Sequence, residues 1–171
     1  LCNRTGKLPW FCMPHLANDD FIRNFATYVR DNLDPRLKIY LEYSNEVWNG
    51  QFAQAQYAQQ QGLAQGLSAN AYQAQLFFHS RRSVQIFAIW EDVFGGTDRL
   101  VRVLAAQHAN PWTGLQVITF EDAYQHADVL STAPYFGLVP NTQQDVDDTL
   151  AMSLDELMAY LDSQSTANAN T

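Results

Sequence analysis

Short apolar runs at 10–13, 37–42, 100–106 and 129–133 alternate along this chain with longer stretches of helical periodicity. That alternation constrains the fold more than any other feature. Each run is too short for a helix and carries the aliphatic and aromatic residues of a buried strand. Strands that take turns with helices build βαβ units, and those units build a parallel sheet. Pro14 stops the first run and Pro134 the last, while Arg102 is a charged interruption in the third.

The intervening segments read as helices. Asn18, Asp19 and Asp20 offer N-caps, and Phe21, Ile22, Phe25, Tyr28 and Val29 recur at helical spacing until about Asn32, with Asp34-Pro35 as the turn. Segment 51–75 is rich in Gln and Ala, a composition that favours helix. Phe52, Ala55, Tyr57 and Ala58 supply its packing face, and Gly62 and Gly66 are expected to break it. A second stretch over 68–90 carries Tyr72, Leu76, Phe77, Val84, Phe87 and Ile89, and Gly95-Gly96 closes the region. Residues 122–126 read as a helical turn. Ser153-Leu154-Asp155-Glu156 is a capping box that starts a helix to about Asp162, packed through Leu154, Leu157, Met158 and Leu161. The expected organisation is one α/β domain over 1–162 and a polar flexible tail over 163–171.

At 171 residues the chain can bury one good core. A net charge of -8, with only Arg81-Arg82 as a dense basic group, argues against nucleic acid or an anionic membrane as partner. No stretch approaches the roughly 20 apolar residues of a membrane span. Two cysteines, Cys2 and Cys12, are too few for a disulfide scaffold. Cys12 sits in an apolar run and reads as a buried free thiol, with a Cys2–Cys12 bridge as the alternative. The first residue is Leu, which reads as a cut within a longer protein.

Chemistry concentrates in Glu42-Tyr43-Ser44-Asn45-Glu46-Val47-Trp48-Asn49, where the second strand ends. A carboxylate beside a side-chain amide at a strand end can protonate a leaving oxygen while the amide holds a substrate hydroxyl. Glycoside hydrolysis needs such an acid and a second carboxylate that attacks or activates water. A strand kept extended sends Asn45 and Glu46 to opposite faces; a twist or bulge brings both to one mouth. Trp48 either offers a flat face to a sugar ring or packs against the helical insert.

Glu42-Tyr43-Ser44-Asn45-Glu46 resembles the E-x-x-N-E pattern that ends the fourth strand of clan A glycoside hydrolases, notably the cellulase-rich family five. The resemblance implies a (β/α)8 barrel in which Glu46 is the acid/base and Asn45 the substrate-binding amide. His15, after the first strand, is similar to a histidine that follows the third strand in such enzymes. Tyr135, in Ala133-Pro134-Tyr135-Phe136-Gly137, is similar to the tyrosine after their sixth strand. Ala133 departs from that family, which often carries a histidine there. On this likeness the chain covers strands three to six, half of a TIM barrel, and stops before the nucleophile's strand.

A half barrel is completed by missing sequence or by a homo-oligomer, and a dimer of half barrels would bring two copies of Glu46 to one mouth. The implied substrate is a poly- or oligosaccharide, most specifically a β-1,4-linked glucan, and the implied location is secreted or periplasmic. No cofactor is needed for acid/base cleavage of a glycoside. The contrasting expectation is a fragment that binds glycans or has no activity of its own.

The remaining titratable groups read more plainly. His79, His108 and His126 follow no metal-ligand spacing and read as surface or core histidines. Glu91-Asp92 and Glu121-Asp122 read as solvated caps or turns. Glu42 reads as a buried structural carboxylate, and His15 either faces a ligand or satisfies a loop carbonyl.

Overall fold

The computed structural model describes residues 1–133 and 142–169. The elements run α1 (Cys2–Thr5), β1 (Trp10–Met13), α2 (Asp19–Asn32), β2 (Ile39–Tyr43), α3 (Ala53–Ala64), α4 (Ala71–Phe94), β3 (Leu100–Ala106) and α5 (Pro111–Thr119). A 3₁₀ segment (Phe120–His126), β4 (Val129–Thr132), α6 (Gln143–Ala151) and α7 (Leu154–Ala169) follow. The four strands form one sheet in the order β1-β2-β3-β4, every pair parallel. The expected α/β class with parallel strands and flanking helices is therefore present. Among the described residues the sheet stays open.

The chain divides into two compact units, Leu1–Thr132 and Ala133–Thr171. The sheet and its core lie in the first unit. Ile39, Leu41, Tyr43, Leu100 and Leu104 from the strands are buried with Ile22, Ala26 and Val29 of α2 and Leu76, Ile86, Phe87 and Trp90 of α4. Trp90 gathers Phe11, Phe25 and Phe94 around it, with ring centroids 5.6–6.2 Å apart. Burying each large apolar side chain contributes roughly 1.5–3 kcal/mol. On the opposite face of the outer strands Trp10 is 46% and Val129 38% exposed.

Two apparent misfits in the pattern have local causes. Arg102 interrupts β3 because it is neutralised: its guanidinium lies 2.8 Å from both Glu91 and Asp128. Gly62 does not break the Gln/Ala-rich helix but sits inside α3. A Cβ there would stand 2.1 Å from the Ala74 carbonyl oxygen, so glycine lets α3 and α4 touch backbone to backbone. Gly66, at φ +66, follows the helix end, and Gly95, at φ +73, caps α4 in the left-handed conformation.

Other expectations are corrected. Helices α5 and α6 occupy stretches with no helix assigned from sequence, although Pro111 at the start of α5 and the Thr142–Asp145 capping box of α6 are proper start signals. The Ser153–Glu156 box forms, with Ser153 Oγ 2.7 Å from a Glu156 carboxylate oxygen. Its helix runs to Ala169, through much of the expected tail. Leu154 and Met158, expected to pack, are exposed. Both cysteines are free, and Cys12 is exposed, because it lies on the uncovered side of β1.

Candidate active site

At the end of β2 the backbone departs from regular geometry, as it does again at Glu121 and Asp122, with φ 50 and 56. Ser44 has φ 62 and Glu46 φ 44, both left-handed, on either side of Asn45. Non-glycine residues in this region cost on the order of 1–3 kcal/mol and persist only where surroundings enforce them. The two kinks replace strict alternation: Ser44 is buried, Asn45 exposed and Glu46 half-buried. The strand therefore ends in a re-aimed turn rather than running on extended.

Side-chain amides hold that turn. Gln54 of α3 donates to the Asn45 carbonyl oxygen at 2.8 Å. Gln75 of α4, itself 2% exposed, donates to the Val47 carbonyl oxygen. Asn49 donates from Nδ2 to the Glu46 carboxylate at 3.2 Å, and its backbone N–H bonds the Glu46 carbonyl oxygen at 2.9 Å. The Asn49 Oδ1 in turn accepts from the Gln51 N–H at 3.2 Å. Asn49 closes the motif without a role of its own in the sequence reading, and Gln54 and Gln75 do not stand out there. Asn49 lies three positions beyond Glu46, a spacing that suits a turn contact, whereas Gln75 is hidden in a run of similar residues.

The other candidates fall at different depths. Val47 and Trp48 are buried in the core, Trp48 with 8% of its surface exposed, so its ring packs rather than lying open. The His15 ring is half-buried and meets Tyr57 edge-on at 5.5 Å, and its carbonyl oxygen accepts from the Tyr43 hydroxyl at 3.3 Å. Burial drives the Tyr43 hydroxyl pKa well above the ordinary tyrosine value. Tyr57 also borders an open cleft of about 460 Å³ with Asn18, Asp19, Asp20 and Arg82. Neither Asn45 nor Glu46 lines that cleft. Tyr135 lies outside the described residues.

Glu42, at the start of the motif, is 7% exposed on the side of the sheet away from the helices. Trp10 Nε1 donates to its carboxylate at 2.9 Å, and Cys12 Sγ lies 3.9 Å from the same oxygen. Burial raises the Glu42 pKa above the ordinary carboxylate range, with the Trp10 and Cys12 donors pulling the other way. Desolvation, then the Glu42 charge, pushes the Cys12 thiol up to about 11. Among the described residues no group of three His, Cys, Asp or Glu is placed to hold a metal ion, and no helix is long and apolar enough to cross a membrane.

No family model matches the chain, no curated protein matches its sequence and no solved structure matches its fold. The kinked Asn45-Glu46 turn, braced by side-chain amides, lies at the carboxyl end of a parallel strand.

Proposed function

We propose that the chain carries the acid/base half of a glycoside hydrolase site acting on β-1,4-linked glucan, with Glu46 as general acid/base and Asn45 holding a sugar hydroxyl. The observation that carries the reading is the pair of left-handed residues, Ser44 and Glu46, around Asn45. Backbone strain at a strand end is stored where a side chain must be aimed, and parallel α/β sheets bind ligands outside the carboxyl ends of their strands. Exposed Asn45 and half-buried Glu46 lie in that position. His15, in the loop after β1, borders the same end of the sheet.

The sheet is read as half of a (β/α)8 barrel. Its sequential parallel order is that of consecutive barrel strands, and four strands cannot close. A second copy of the chain supplies the other half in this reading and brings a second Glu46 to the mouth. Carboxylates about 6.5–9.5 Å apart would then invert the anomeric centre, and about 5–5.5 Å would retain it. A polymeric substrate places the protein outside the cell or in the periplasm.

The test is release of reducing sugar from soluble β-1,4-glucan by the parent chain and by Glu46→Gln. The expected result is turnover by the parent and loss of at least about a hundredfold in the variant, the scale of removing a general acid. Equal turnover in both would remove Glu46 from the mechanism. Folded protein with no turnover in either would leave a glycan-binding or inactive barrel fragment.

A further inference from the structure

We propose that Asn49 is the positioning residue for Glu46, fixing its carboxylate through a side-chain amide whose own orientation is locked by the Gln51 backbone. The proposal rests on the reading of Glu46 as acid/base and adds the device that aims it. The geometry is specific. Asn49 Oδ1 accepts the Gln51 N–H at 3.2 Å, which leaves Nδ2 as the end of the amide that faces Glu46. An amide anchored this way can only donate to the carboxylate; turning it over would place oxygen against oxygen and break the Gln51 bond. The backbone on which Glu46 stands is braced from both sides, by Gln54 at the Asn45 carbonyl and by buried Gln75 at the Val47 carbonyl.

A left-handed glutamate needs such bracing. Released, Glu46 at φ 44 would relax toward the ordinary regions of backbone space and carry its carboxylate away. Gln54 and Gln75 restrain the main chain, and Asn49 restrains the side chain. These are separate tasks, so they can be separated by substitution. Asn49→Asp keeps an oxygen for the Gln51 N–H but removes the donor to Glu46 and puts a second carboxylate beside it. Asn49→Ser keeps a short acceptor for the same N–H without adding charge.

The experiment measures Glu46 and turnover independently. Three-bond NMR couplings across the Glu46 Cα–Cβ bond report whether the side chain holds one rotamer, with no need for activity. The expected result is a single rotamer in the parent and averaged couplings in Asn49→Asp and Asn49→Ser, while thermal melts stay close to the parent. On β-1,4-glucan, kcat falls by about a hundredfold with KM little changed, the scale of a small misplacement of a reacting group. Parent-like Glu46 couplings in both variants would overturn the proposal. If Glu46→Gln leaves turnover intact, or the parent has none, the hydrolase reading falls, while the couplings still decide whether Asn49 positions Glu46.

Discussion

His79 stands in the core of the first unit, 1% exposed, with neither ring nitrogen in hydrogen-bond geometry. Its ring stacks on Tyr43, the last residue of β2, at 5.8 Å. Burial pushes its pKa down to about 4 from 6.5, and the Ala105 backbone opposes this only in part. Between those values the unfolded chain binds a proton that the folded chain does not. The stability His79 permits is therefore complete above pH 6.5 and is lost as pH falls toward 4, by about 3 kcal/mol. Glu42 acts in the opposite sense: its raised pKa means that stability is lost as pH rises above the ordinary carboxylate value. His79→Phe keeps a ring against Tyr43 and removes the proton. Urea denaturation at pH 7 and 4.5 should show a large drop for the parent and most of that drop abolished in the variant. Equal drops would mean that His79 does not titrate in this window.

Among the elements, the contact of α3 with α4 gives the sharpest expectation. Gly62→Ala gains about 1 kcal/mol of helix propensity. It also drives a methyl into the Ala74 carbonyl, an overpacking that costs about 1–3 kcal/mol once the helices shift. The urea midpoint should fall with an unchanged denaturant slope; a rise would show that the helices separate freely. Gly62 also marks the limit of what the sequence discloses. Its spacing in a Gln/Ala-rich run looks like a helix break, because a close approach involves a partner far along the chain. The strands were readable since apolar runs bounded by Pro, Gly and Asp report burial directly, and β1 and β3 match the expected spans. Helix α5 lies outside the apolar runs and the long periodic stretches, and only Pro111 announces it. The sequence singled out the residues at the end of β2 but not their backbone. The left-handed turn at Ser44 and Glu46, and the amides of Gln54 and Gln75 that brace it, were not legible, because no residue type there demands positive φ.

At the level of the molecule, β1 and β4 are the outer strands of an open parallel sheet, and among the described residues no further strand pairs with either. Open edges and a partly bare face with Trp10 and Val129 exposed are costly to leave in water. Sedimentation equilibrium should find a dimer; a well-folded monomer that turns over glucan would rule out the paired half barrels. The sequential strand order also sets a timetable for the nascent chain. Val103 and Val129 pair across a short connection, as do Trp10 and Tyr40, but Ile39 must wait for Leu100, beyond the whole α3–α4 hairpin. At ordinary rates of about 5–20 residues per second, one flank of β2 leaves the ribosome seconds before its neighbour exists. The long helical insert thus doubles as a delay line, and the vulnerable moment in this protein's life falls during synthesis, while Leu41 and Tyr43 are already made and β3 is not.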